Sequence, residues 1–128
     1  MRLLLDTHIA LWMLTGNERI GAAARELIES EESQPLVSAV TIWEIAIKHQ
    51  LQREAMPMPP KRAIELCLAG GYELLPVLPA HAAAVGELPR RHADPFDRLL
   101  VAQALTEPLR LVTRDRAVAA YSDTIILV

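Results

Sequence analysis

Four carboxylates stand where an apolar core would least accommodate them. Asp6 ends the run Leu3-Leu4-Leu5, and Glu44 interrupts Thr41-Ile42-Trp43-Glu44-Ile45-Ala46-Ile47. Asp97 lies in Asp94-Pro95-Phe96-Asp97-Arg98-Leu99-Leu100, and Asp115 follows Leu111-Val112-Thr113-Arg114. A carboxylate in such a place is costly unless it is paired or bound to a cation. If the four converge, a hard divalent cation is the simplest common partner. Mg2+ and Mn2+ favour carboxylate and water ligands. A cation there could activate water and neutralise charge on a phosphodiester. Thr7 and Thr113 adjoin the acids and are candidates to orient them.

Each acid also has a purely structural account. Asp6 is a favoured helix N-cap residue. Glu44 stands four residues before Lys48, an i,i+4 pair that suits the wet edge of a helix. Asp94 followed by Pro95 has the form of an N-cap with proline in the first helical position. Asp97, three residues after Asp94, then resembles the return half of a capping box. Asp115 would cap a short helix over Arg116–Ala120. Asp94 is read as structural. The histidines His8, His49, His81 and His92 lack a His-x-x-x-His spacing; His8 and His92 could lie near the site, but exposed or hydrogen-bonded structural roles are expected for them. Trp12 and Trp43 are expected in the core or as interface anchors. There is no Gly-rich phosphate loop and no serine nucleophile elbow.

The elements that must position these residues alternate. Arg2–Leu5 reads as a buried strand, Thr7–Leu14 as a helix stopped by Thr15-Gly16-Asn17, and Gly21–Glu32 as an amphipathic helix. Leu36-Val37-Ser38 reads as a strand and Thr41–His49 as a helix. Gln50–Pro60, with Pro57, Pro59 and Pro60, reads as a loop. Lys61–Ala69 is a helix closed by Gly70-Gly71. Tyr72–Val77 follows as a strand, Ala80–Leu88 as a helix and Asp94 to about Leu105 as another. Leu109–Thr113, Arg116–Ala120 and Thr124–Val128 complete the chain as strand, short helix and strand. Strands alternating with helices predict an α/β fold with a mostly parallel sheet covered on both faces. Such a sheet binds ligands at the carboxyl ends of its strands, where strand order reverses. Asp6, Ser38 and Asp115 all fall at that edge.

With 128 residues, 52% of them hydrophobic, the chain suits one domain over residues 1–128 with a substantial core and not a disordered segment. The lone Cys67 leaves no internal disulfide and no cysteine-ligated zinc site. The three leucines before Asp6 are too few for a signal peptide, and no stretch reaches the length of a membrane span. The cytoplasm is the simplest location. A net charge of −3 argues against indiscriminate nucleic-acid binding. Arg90, Arg91, Arg98, Arg110, Arg114 and Arg116 nevertheless fall in one stretch that could hold phosphates.

Four passages resemble the PIN-domain family, most closely the VapC-type toxins of toxin–antitoxin modules. They are Leu4-Leu5-Asp6-Thr7-His8, Ser38-Ala39-Val40-Thr41-Ile42-Trp43-Glu44, His92-Ala93-Asp94-Pro95-Phe96-Asp97-Arg98-Leu99-Leu100-Val101-Ala102-Gln103-Ala104, and Leu111-Val112-Thr113-Arg114-Asp115. They occur in the family's order and cover nearly the whole chain. The resemblance implies a three-layer α/β/α sandwich with strand order 3-2-1-4-5. It implies a Mg2+- or Mn2+-dependent endoribonuclease, with Asp6, Glu44 and Asp97 matching the family's main acids and Asp115 a more variable fourth. Arg98 belongs to the motif and could bind phosphate or brace Asp97. A homodimer and a cognate antitoxin are implied as well. Two other classes compete: a PIN-like binding module without catalysis, and an Asp-based phosphoryl-transfer domain. The second is disfavoured because position 8 is His where such phosphatases need Asp, and because no lysine follows Lys61 where a receiver domain needs one.

Overall fold

A computed structural model describes residues 1–128. Five strands form one sheet: β1 (Arg2–Leu5), β2 (Gln34–Ser38), β3 (Glu73–Leu75), β4 (Arg110–Thr113) and β5 (Ile126–Leu127), in the order β3-β2-β1-β4-β5. Every neighbouring pair is parallel. The strand order agrees with the one the resemblance implies, and the sheet is wholly rather than mostly parallel. Seven helices connect the strands: α1 (Thr7–Thr15), α2 (Ala22–Glu29), α3 (Ala39–Leu51), α4 (Pro60–Ala69), α5 (Pro79–Ala84), α6 (Pro95–Thr106) and α7 (Arg116–Ala119). None is long and apolar enough to cross a membrane.

Strand alternation sorts the core into two layers. Leu4, Leu36 and Leu111 point to one face, where Leu100, Val101 and Ala104 of α6 and Val118 of α7 cover them. Leu3, Leu5, Val37 and Val112 point to the other, against Ile9 of α1, Ala24 and Ile28 of α2 and Cys67 of α4. Both faces are dry, which is why β1 carries three successive leucines rather than an alternating pattern.

Three strands pass into their helices through a single capping residue or nearly so. Asp6 follows β1 and caps α1, Ser38 ends β2 and caps α3, and Asp115 lies two residues past β4 and caps α7. These junctions lie at the carboxyl edge, and the order reverses between β1 and β4. Gly16 closes α1 in the left-handed region at φ 66°, where its N–H and that of Asn17 reach the last carbonyls.

Several boundaries differ from the expected ones. The strand expected over Tyr72–Val77 is limited to Glu73–Leu75, because Pro76 offers no N–H to a ladder. The helix expected over Thr41–His49 begins at Ala39, since the Ser38 hydroxyl accepts from Val40 N–H at 3.0 Å, and it runs on to Leu51. The last strand is two residues long.

Candidate functional site

Asp6 is 6% exposed, and its two carboxylate oxygens do different work. Oδ1 accepts from Ile9 N–H at 2.9 Å and caps α1. Oδ2 accepts from the Thr113 hydroxyl at 2.5 Å, across the β1–β4 seam. Burial raises its pKa, and the Glu44 charge adds to that; the hydrogen bonds from Thr113 and Ile9 and the nearby His8 oppose it.

Glu44 projects from α3 and is 3% exposed. Its Oε1 accepts from the Thr7 hydroxyl at 2.7 Å, and Thr7 lies 3.2 Å from the Thr41 hydroxyl. Its Oε2 pairs with Lys48. The i,i+4 pair forms as expected, but not on a wet edge. The Glu44 side chain is buried while Lys48 stays 38% exposed.

Asp97 stands in the first turn of α6. Its pKa is pushed up to about 6, by burial first and by the neighbouring Asp94 charge second; the His92 hydrogen bond opposes, and the Asp6 charge adds a smaller push upward. Asp94 behaves as the sequence suggested. Its Oδ1 accepts from Phe96 N–H at 2.8 Å and from Asp97 N–H at 3.3 Å. The return half of the capping box is not formed, because the Asp97 carboxylate bonds His92 Nε2 at 2.8 Å instead.

Asp115 repeats the division of labour of Asp6. Oδ1 accepts from Ala117 N–H at 2.8 Å and caps α7, while Oδ2 lies 3.5 Å from His92 Nε2. Its backbone N–H donates to the Thr113 hydroxyl at 3.1 Å. Thr113 therefore links Asp6 to Asp115, and His92 links Asp115 to Asp97. A structural role was favoured for His92, with a place near the site as the alternative; it bridges two of the acids. Nothing in its spacing announces this, because its partners are brought to it by α6 and the end of β4.

The arginines divide. Arg98 does not brace Asp97: its guanidinium donates to Pro89 O at 3.0 Å, Val85 O at 3.2 Å and the Tyr121 hydroxyl at 3.0 Å. Arg110 Nε donates to Thr124 O at 2.9 Å. Arg114 lies 5.0 Å over the Trp12 ring. Arg90 and Arg91 are exposed and, with His92, Ala93 and Arg98, line a cleft of about 590 Å3 that shares His92 with the acidic cluster. A smaller hollow of about 230 Å3 is lined by Asp6, His8, Trp12, Arg114 and Asp115.

One further residue carries more than the sequence disclosed. Gln103, in the Ala-Gln-Ala motif, is fully buried and accepts from the Ser38 hydroxyl at 2.5 Å while its amide donates to Pro76 O at 3.2 Å. His81 is also fully buried, accepts from Leu78 N–H at Nδ1 and meets the Glu107 carboxylate at Nε2. That is the hydrogen-bonded structural role expected of it. Trp43 is no core residue, being 54% exposed with its ring edge-on to Phe96.

The donor set fits a hard divalent cation. One ligand atom each from His92, Asp97 and Asp115 lies within 4.8 Å of the others, and Thr113 ties Asp6 to Asp115. The protein's own groups leave Asp6 burdened by burial and the Glu44 charge, and Asp97 by burial and the charges of Asp94 and Asp6. A cation would relieve both burdens.

The sequence model of the PIN domain matches residues 3–123. Ribonuclease VapC22 of Mycobacterium tuberculosis is 31% identical over 119 residues, covering 92% of this chain and 90% of that protein. Among solved structures, VapBC2 from Rickettsia felis bound to a promoter DNA fragment superposes with a TM-score of 0.72 at 16% identity, covering all of this chain and 98% of that one. FitAcB from Neisseria gonorrhoeae gives 0.64 at 22% identity, with 98% and 96% covered. The structural matches establish the fold, and the matched span with the VapC22 relationship establishes the descent: the chain belongs to the PIN-domain family.

Proposed function

We propose that this protein is a divalent-cation-dependent endoribonuclease and the toxin of a toxin–antitoxin pair. The observation that carries the reading is the pairing of roles at Asp6 and Asp115: each spends one oxygen on a helix cap and turns the other toward a shared acidic edge. The relationship to ribonuclease VapC22 supports RNA as the substrate, and the VapBC and FitAcB structures support an antitoxin partner. All five strands share one sheet, which supports treating residues 1–128 as one PIN domain.

Asp6, Glu44, Asp97 and Asp115 would hold one or more Mg2+ or Mn2+ ions. When bound, the cation lowers the pKa of a water nucleophile and offsets charge developing on the phosphodiester. The protein's own residues do the rest. Thr113 and Thr7 fix the Asp6 and Glu44 carboxylates, so the donor oxygens need not reorganise on binding. Arg90 and Arg91 line a cationic cleft adjoining His92 and would hold flanking phosphates, which position the RNA without reading its sequence. Lys48 offsets the Glu44 charge beside the site.

Exposed Trp43 forms the rim of an apolar hollow of about 460 Å3 with Ile42, Ala46, Ile64, Leu74 and Leu75. An exposed apolar patch of this kind suits a protein interface, and it supports the homodimer implied by the resemblance.

Titration with Mn2+ and Mg2+, followed by RNA cleavage, tests the reading. Cation-dependent cleavage by the wild type and its loss in Asp6→Asn are expected. Failure to bind either cation would point to a PIN-like binding module without catalysis.

A further inference from the structure

We propose that His92 is a nitrogen ligand of the divalent cation, alongside Asp97 and Asp115. The proposal rests on the cation-dependent reading above and adds a residue and a metal preference to it. His92 Nε2 lies 2.8 Å from Asp97 Oδ2 and 3.5 Å from Asp115 Oδ2. One donor atom from each of the three residues falls within 4.8 Å of the others. Adjacent ligands of an octahedral ion bound at about 2.1 Å stand about 3.0 Å apart. The spacing around Nε2 brackets that edge length, so the imidazole already stands beside each carboxylate as a neighbouring ligand would.

The imidazole is also held in place from outside. Arg98 clamps the preceding chain through Val85 O and Pro89 O and is itself braced by Tyr121. Asp94 fixes the following chain by capping α6. His92 thus sits on a short segment secured at both ends, which is what a preorganised ligand requires. Arg98 acts on the site as a positioning residue, through this segment.

Without a cation, His92 Nε2 meets the Asp97 carboxylate. As a ligand, the ring would carry its proton on Nδ1 and present the Nε2 lone pair to the ion. An imidazole in the set shifts preference from Mg2+ toward first-row transition ions such as Mn2+.

The test uses the full chain loaded with Mn2+ alone and measured by electron spin-echo spectroscopy. Histidine nitrogen coupling to Mn2+ is expected in the wild type and in His8→Gln, and its loss is expected in His92→Gln. Replacing histidine 14N by 15N in the wild type should change the modulation without any mutation. His92→Gln should weaken Mn2+ binding by about ten-fold or more, with a smaller effect on Mg2+. Mn2+ binding without nitrogen coupling in the wild type, or coupling that survives in His92→Gln, overturns the proposal and leaves the nuclease reading standing. A wild-type chain that binds no Mn2+ overturns both.

Discussion

Thr113 Oγ1 donates to Asp6 Oδ2 at 2.5 Å and accepts from the Asp115 N–H at 3.1 Å, so one hydroxyl ties together two acids from either side of the strand-order reversal. Thr113→Val keeps the shape and removes both bonds. Mn2+ affinity and RNA cleavage should fall by about 10–100-fold. Unfolding free energy should drop by about 1–3 kcal/mol, because a buried carboxylate oxygen and a backbone N–H lose their partner. Calorimetric Mn2+ titration reads the first effect and urea denaturation the second. Unchanged Mn2+ affinity would remove Thr113 from the site.

Asp97 gives the site a pH signature. Its pKa is held up to about 6 in the folded protein against an ordinary 3.8. The native state therefore binds this proton more tightly than the unfolded chain does. The resulting stabilisation is full below the ordinary value and is lost as pH rises through the folded one. Asp6 is shifted in the same direction. In chelator, Asp97→Asn should gain Tm relative to the wild type between pH 4 and pH 7. Mn2+ affinity should run the other way and weaken as pH falls through about 6, since the cation must displace the proton. Parallel melting curves for the two proteins across that range would contradict the shift.

The His81 network is structural, and its loss should be felt in stability and not in metal binding. His81 is fully buried between Leu78 N–H, Gln103 and Glu107. His81→Ala should cost about 3 kcal/mol, from a cavity and a stranded backbone N–H together. Chemical denaturation measures this, and Mn2+ affinity measured well below the unfolding midpoint should match the wild type.

Trp43 should mark the dimer interface. Light scattering of the wild type is expected to give twice the chain mass, and Trp43→Ser should shift the population toward the monomer. A clean wild-type monomer would count against the interface.

Much of the fold was legible from residue pattern. β1 announced itself by three leucines, α1 by its Gly16 stop, and α6 by Asp94-Pro95. The strand order came from the resemblance, since periodicity does not say which strands are neighbours. At the site, the sequence left cap and site roles as rivals for Asp6 and Asp115. The structure shows the cap at each and leaves the second oxygen free of it, facing Thr113 at Asp6 and His92 at Asp115, because a carboxylate has two oxygens and only one is needed for a cap. The contacts of His92 and Gln103 stayed hidden for a different reason. His92 is set by where α6 and β4 come together, and Gln103 by where α6 meets β2 and the chain after β3. The arginine-rich stretch looked uniform in sequence, yet Arg98 and Arg110 are committed to backbone carbonyls and Arg114 stacks on Trp12.

The central claim is that the acidic edge cuts RNA with the help of a divalent cation, and sequencing of RNA ends after expression tests it most directly. Asp6→Asn keeps an N-cap side chain for α1 while removing the carboxylate, so the fold should persist. Wild-type expression should produce new, discrete RNA ends that recur in vitro with Mg2+ or Mn2+ and vanish with chelator. Asp6→Asn should reduce them by at least about 100-fold. The same ends at the same abundance in Asp6→Asn would contradict the account.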